Sequence, residues 1–202
     1  MIKKKLNPSI HDIKLRDVLV QIYSHKNYNT SLNFNNITMY NNIERLSLIY
    51  DTNYICEKNK LHKNNTSCII KNFEEIEKQP TIEYLEISNF SITNKQLEVI
   101  SKLPNIKHIY LNNLDNKSID YNILKNAVNI DNLHIVSKYP IDCLDLEPYT
   151  NLKYLSTTNI DRLKYVDKLN LTNLIYNDEF VDIEEFKRKE IKNKLKDIID
   201  KT

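Results

Sequence analysis

The chain has 202 residues, of which 41% are hydrophobic and 28% charged, with a formal net charge of +2. Its mean hydropathy is −0.54, so composition favours one globular domain and disfavours a disordered or membrane-embedded chain. It contains no glycine, which excludes phosphate-binding loops, dinucleotide fingerprints, GxSxG elbows and glycine-rich kinase loops, because each needs a backbone position that only glycine allows. Most nucleotide-dependent enzymes and many hydrolases are thereby disfavoured.

Residues 1–42 are predicted to form a helical cap followed by an edge segment. Ser9 and Asp12 have the spacing of a capping box, and apolar residues follow at helical intervals, which predicts an amphipathic helix over Ser9–Tyr23. Leu32 and Phe34 fit one further edge strand. The opening residues carry three lysines and no apolar stretch, so no secretory signal is expected.

Residues 43–180 contain a repeated hydrophobic pattern. Each copy has an apolar residue and a second one three positions later, and all but the copy at Leu152, which has Thr157, have a third two positions after that. This spacing indicates a short strand with one buried face. A polar stretch at about residues 57–67 separates the first copy from the second and is interpreted as an insertion. The later copies follow at intervals of 24, 24, 22 and 19 residues, so that the six copies begin at Ile43, Ile82, Ile106, Ile130, Leu152 and Leu171.

This pattern resembles that of the leucine-rich repeat family, LxxLxLxxN, over about residues 43–180. The resemblance implies an α/β fold: a right-handed solenoid with a parallel concave sheet, a helical or 3₁₀ convex side and helical caps at both ends. Apolar residues at every third position from Leu97 to Ile106 favour such a helical return path, for which Thr93 and Gln96 provide a capping box.

The chain departs from the family at the position that is usually asparagine. That position is occupied here by Asp51, Phe90, Leu114, Lys138 and Ile160. Asn89, Asn113 and Asn159 stand one place earlier and could replace part of the missing ladder. We therefore expect an irregular solenoid. Asparagine, which tolerates left-handed backbone, should occupy many of the turns.

Residues 181–202 are predicted to form a C-terminal capping helix. Its charged side offers Glu184 with Arg188 and Glu185 with Lys189 as i,i+4 pairs. Coiled-coil dimerisation through its apolar side is the alternative interpretation.

The residues that flank the strand leucines should point out of the concave face. Tyrosine and arginine are enriched among interface hot spots, so this face is the predicted binding site; the alternative is that these are solvated strand positions in a tyrosine-rich chain. The candidate binding residues are Arg45, Tyr84, Glu86, His108, Tyr110, Asn112, His134 and Tyr154.

The function expected from these features is that of a non-enzymatic protein–protein interaction module, which binds a protein or peptide through the concave face. It is expected to be a cytoplasmic monomer (in the host cytoplasm if viral) without a cofactor, small-molecule substrate or membrane partner. The AT-rich codon usage that the composition implies resembles repeat proteins of large insect DNA viruses or other AT-rich genomes. The alternative is an adaptor that recruits a second protein, such as a ubiquitin-ligase subunit, through the N-terminal helix.

Three other kinds of site are disfavoured. His108 and His134 lie near Ser88 and Ser156 in the repeat pattern, but an open face excludes no water and offers no oxyanion hole, so no catalytic residue is assigned. Cys56, His62 and Cys68 lack a fourth metal ligand and the usual pair spacing, which favours free thiols. Nucleic-acid binding is disfavoured because the basic clusters lie at opposite ends of a nearly neutral chain.

Overall fold

In the computed structural model the chain has a mixed α/β fold with mostly parallel sheets, few helices and, in the described residues, no closed barrel. The structure describes residues 10–16, 19–25, 31–35, 37, 42–51, 68–114, 116–158 and 163–199. The predicted insertion at about residues 57–67 lies outside them. The strands are β1 (Ile10–Arg16), β2 (Leu19–His25), β3 (Ser31–Asn33), β4 (Arg45–Asp51), β5 (Cys68–Lys71), β6 (Tyr84–Ser88), β7 (Phe90–Ser91), β8 (His108–Leu114), β9 (Asn132–Ser137), β10 (Leu144–Asp145), β11 (Tyr154–Thr157), β12 (Leu163–Lys164), β13 (Asn173–Tyr176) and β14 (Glu179–Phe180).

Nine of these strands form the main sheet, in the order β1-β2-β4-β6-β8-β9-β11-β13-β14. Its pairs are parallel except for β1 with β2 and β13 with β14. The predicted strand register is confirmed, because the second apolar residue of every copy lies in one row across neighbouring strands. That row is Leu46, Leu85, Ile109, Leu133, Leu155 and Leu174, and none of these side chains is more than 1% exposed.

The segments that connect the main strands carry short strands and helical turns. They contain two small parallel sheets, β3-β5-β7 and β10-β12, and 3₁₀ helices at Phe73–Lys78, Tyr121–Asn126 and Val166–Lys168. Helix α1 (Asn94–Ser101) begins with the predicted capping box of Thr93 and Gln96. Its Leu97 and Ile100 are fully buried, so the core lies between the main sheet and these connections.

The N-terminal segment corrects the prediction of a helix over Ser9–Tyr23. β1 and β2 form an antiparallel hairpin, and β2 pairs in parallel with β4, which places Val20 and Ile22 in register with Leu46 and Leu48. Long-range pairing with an open sheet edge, together with β-branched residues, outweighs the local helical spacing. The predicted helical N-terminal cap was therefore wrong, and the adaptor hypothesis loses its docking helix. The predicted edge strand near Leu32 is confirmed as β3.

The predicted C-terminal helix is confirmed as α2 (Ile183–Ile199). It packs beside β13, where the ring centres of Phe186 and Tyr176 are 6.1 Å apart. Lys187 Nζ also donates a hydrogen bond of 2.9 Å to the Leu169 carbonyl. These contacts are those of a helix that covers the end of the core.

Of the two ion pairs predicted on α2, the structure contains one. Lys189 Nζ lies 2.6 Å from a carboxylate oxygen of Glu185. Arg188 Nε instead donates to the backbone carbonyl of Glu184 at 3.1 Å.

Asparagines join neighbouring repeats from positions other than the one the family uses. Asn89 adopts a left-handed φ of 64°, and its side-chain amide donates to the Tyr50 carbonyl at 3.0 Å. Asn116 donates to Ile92 in the same way, at 2.8 Å. Phe90 and Leu114, which stand at the asparagine position of the LxxLxLxxN pattern, are fully buried. Asn89, one place before Phe90, thus provides a side-chain bond between repeats, whereas the Asn113 side chain and Asn159 lie outside the described part.

Candidate functional site

The site is built on the face of the main sheet that points away from the core, because residues alternate between the two faces of a strand. We call this the outer face. From β4 to β13 its side chains form three rows across the strands. The first row is Arg45, Tyr84, His108, Asn132, Tyr154 and Asn173; the second is Ser47, Glu86, Tyr110, His134, Ser156 and Ile175; the third is Ile49, Ser88, Asn112 and Val136.

Four of the predicted residues stack into a continuous ridge across four strands. The Arg45 guanidinium lies 4.5 Å from the centre of the Tyr84 ring. The Tyr84 and Tyr110 ring centres are 5.1 Å apart, and those of Tyr110 and His134 are 5.6 Å apart. We call this group the aromatic ridge. Because each of these side chains packs against the next, the ridge is a preorganised contact surface.

Glu86 lies beside the ridge and gathers hydroxyl groups from two strands. Its carboxylate accepts hydrogen bonds from Ser47 at 2.6 Å, from Ser88 at 3.3 Å and from the Tyr84 hydroxyl at 3.4 Å. Ser47 and Ser88 are nearly fully buried under this cluster, whereas Glu86 is half-buried. The hydroxyls therefore fix the position of a carboxylate in the middle row of the face, on β6.

A shallow cavity of about 300 Å³ adjoins the ridge on the side where the strands begin. Tyr84, Tyr110 and His108 line it, together with the acidic residues Glu44 and Glu83. The cavity is large enough for one long side chain of a partner. It carries acidic groups that the prediction did not include.

Burial changes the acidity of the rings on this face. It raises the pKa of Tyr84 to about 12, with a further contribution from the Glu86 carboxylate. It lowers the pKa of His108 and of His134. For His134 the carboxylates of Asp178 and Glu86 act in the opposite direction but are outweighed. In the described part of the chain, His108 Nδ1 is buried without a hydrogen-bond partner.

The other predicted residues also lie on the outer face. Asn112 is half-buried in the third row, between Ser88 and Val136. Tyr154 is half-buried on β11, the strand next to that of His134. All eight predicted residues thus share one face, and the ridge and the Glu86 cluster bring together Arg45, Tyr84, Glu86, Tyr110 and His134.

The serines on this face do not form an activated nucleophile with the histidines. Ser88 donates its hydroxyl to Glu86. Ser156 is in register with His134 on the neighbouring strand, but it is only 4% exposed.

Glu44 and Glu83 are the site residues that sequence reasoning missed. Each stands immediately before an outer-face strand, and its carbonyl accepts two backbone N–H groups from the next repeat. The same position in the later repeats is charged as well, at Lys107, Asp131 and Lys153. A charge one place before five of the six strands from β4 to β13 is the signal that could have found them; Thr172 stands there before β13.

The described residues contain no group of three or more histidine, cysteine or acidic side chains that could hold a metal ion, and Cys56 and His62 lie outside them. No helix in the described part is both long and apolar enough to cross a bilayer.

Comparison with protein-family models, curated proteins and solved structures finds no match for this chain. Its function is therefore argued from the geometry of the outer face.

Proposed function

We propose that the chain is a leucine-rich repeat protein whose outer face is the concave face of a right-handed solenoid, and that it binds a protein or peptide there without catalysis. The repeats support this architecture: strands 24 residues apart lie side by side, and each is followed by a helical or short-strand return. Right-handed crossovers are the rule for parallel strands joined in this way.

The observation that carries the proposed function is the aromatic ridge. Tyrosine and arginine dominate interface hot spots because they bring large, amphipathic contact area with few rotatable bonds. Here two tyrosines and an arginine are already held in contact with one another. Little conformational entropy is left to lose when a partner covers them.

The size of the face indicates what it can hold. The six strands of its part from β4 to β13, at a spacing of about 4.8 Å, span roughly 24 Å, and three residues per strand add a width of about 10 Å. That area is well below the roughly 800 Å² per partner of a standard protein interface. The face alone therefore suits an extended peptide or a single helix of a partner protein.

A selection experiment tests the proposal. A display library of random dodecapeptides is selected on the wild-type protein, and the recovered peptides are measured against a Tyr84→Ala/Tyr110→Ala variant. We expect about tenfold weaker binding, because hot-spot truncations cost 1 kcal/mol or more. Arg45→Ala, at an exposed position, serves as a second variant with little risk to folding.

The matched control is Tyr139→Ala/Tyr165→Ala. These two rings are also half-buried and each lies under a lysine, but neither belongs to the outer face. Binding to this control should stay within about twofold of wild type. Equal losses in the two double variants, or no peptide that prefers wild type to the face variants, would overturn the proposal.

A further inference from the structure

From β4 to β13, the outer face has few charged side chains. The charged residues in its three rows there are Arg45, on β4, and Glu86, in the middle row of the neighbouring strand β6. Arg45 is stacked on Tyr84. The partners of the Glu86 carboxylate are the three hydroxyls of Ser47, Tyr84 and Ser88, which are neutral donors.

A partner that covers this face removes water from Glu86. Burying a carboxylate without a counterion is strongly unfavourable, and neutral hydroxyls offset only part of the lost hydration. A partner that places a cation beside Glu86 avoids this cost, whereas an acidic or uncharged partner does not. The chemistry of the face therefore selects for a positive group.

The surroundings add to this preference. Glu44 and Glu83 line the adjoining cavity, and Asp131 immediately precedes β9. On the four strands of the ridge and at the position before each of them, the basic groups are Arg45, which is stacked on Tyr84, and Lys107, whose Nζ is 3.0 Å from Glu83. Carboxylates thus outnumber cations around the ridge, although the whole chain has a net charge of +2.

We propose that the partner presents an arginine or lysine that pairs with Glu86 against the Tyr84 and Tyr110 side chains. This inference rests on the proposed function and assigns the partner's chemistry: a basic segment, with arginine preferred because its planar guanidinium can stack on a ring and bind a carboxylate at once. When the partner's segment covers the face, it excludes water from the ion pair between its basic residue and Glu86. The attraction between the two charges is then stronger than in an exposed ion pair.

The test uses the peptides selected above and two variants that remove one negative charge each. Glu86→Gln keeps the shape of the side chain and should weaken binding of a selected peptide about tenfold. Glu98→Gln removes an exposed carboxylate on α1, outside the outer face, and should change binding by less than twofold. Circular dichroism confirms that both variants are folded.

A second measurement removes the charge from the peptide and needs no protein variant. Replacing the peptide's recurring arginine by citrulline, a neutral residue of the same shape, should weaken binding to wild type about tenfold. It should weaken binding to Glu86→Gln much less, because the two changes break the same pair.

The outcomes separate this inference from the proposed function. The inference is overturned if the selected peptides contain no basic residue. It is also overturned if the loss of affinity from combining citrulline with Glu86→Gln equals the product of the two separate losses. In both cases the tyrosine variants can still uphold the binding face. If no peptide prefers wild type to the tyrosine variants, both proposals fail.

Discussion

Tyr110 and Leu111 are neighbours on β8 with opposite environments. Tyr110 is half-buried on the outer face, between the rings of Tyr84 and His134. Leu111 is fully buried in the core, in register with Ile87 and Ile135. The two positions therefore separate the face that is available for binding from the side chains that hold the fold together.

Truncating the two residues should have unequal effects. Leu111→Ala should lower the free energy of unfolding by about 2–5 kcal/mol, because it leaves a cavity in the core. Tyr110→Ala should lower it by only about 0.5–1.5 kcal/mol, the contribution of its stacked rings. Urea denaturation of both variants measures the difference; a larger loss for Tyr110→Ala would place the tyrosine in the core and reverse the assigned faces.

His108 and His134 should make the stability depend on pH. Burial lowers the pKa of both below the ordinary value of 6.5, so the unfolded chain binds protons that the folded chain does not. Their stabilising effect is complete above pH 6.5 and is lost as the pH falls through their lowered pKa values.

The double variant His108→Gln/His134→Gln tests this dependence. Between about pH 7.5 and pH 5.5, the urea midpoint of the wild type should fall more than that of the variant, since glutamine takes up no proton over this range. Parallel curves for the two proteins would show that these histidines do not titrate differently on folding.

The turns of this chain contain no glycine, and asparagine adopts the left-handed backbone conformation in several of those that the structure describes. Among the described residues with positive φ, four are asparagines: Asn42, Asn72, Asn89 and Asn177. This use of asparagine was predicted from composition alone. Asn89 has a second role, because its side-chain amide also joins two repeats through the Tyr50 carbonyl.

Two substitutions separate the roles of Asn89. Asn89→Gly keeps the left-handed turn and loses the side-chain bond, whereas Asn89→Ala loses the bond and adds a backbone cost of about 1 kcal/mol. We expect both variants to be destabilised and Ala to be the worse of the two, as measured by thermal unfolding. If glycine is no better than alanine, backbone conformation does not matter at this turn.

The sequence predicted the repeat strands well and the N-terminal segment badly. Strands such as β6, β8 and β9 have a pattern repeated every 24 residues, which makes each assignment support the next. The segment around Ile10 and Ile22 has no repeated partner, and its apolar spacing fits a helix locally. Its strand structure depends on pairing with β4, a long-range contact that local spacing does not encode.

The candidate site was predictable only in part. Strand alternation correctly placed the predicted residues on one face. It did not predict that Tyr84 of the first row stacks on Tyr110 of the second, because this depends on how each ring leans across the sheet. Nor did it predict the bond from Ser47 to Glu86, which joins residues 39 positions apart in the sequence.

The outer face exists only because successive repeats lie side by side in one sheet. The register places Ser88, Asn112 and Val136 on three neighbouring strands in one row. Adjacent strands are about 4.8 Å apart, so Ser88 and Asn112 are close enough for a disulfide. Ser88 and Val136 are about twice as far apart and beyond the roughly 7 Å limit between bridged Cα atoms.

Cysteine cross-linking tests this stacking most directly. In a background where Cys56, Cys68 and Cys143 are replaced by serine, mild oxidation of Ser88→Cys/Asn112→Cys should form an intramolecular disulfide, detected by mass spectrometry of proteolytic peptides. Ser88→Cys/Val136→Cys should stay reduced under the same conditions. A disulfide in the second variant but not in the first would contradict the stacking order on which the outer face depends.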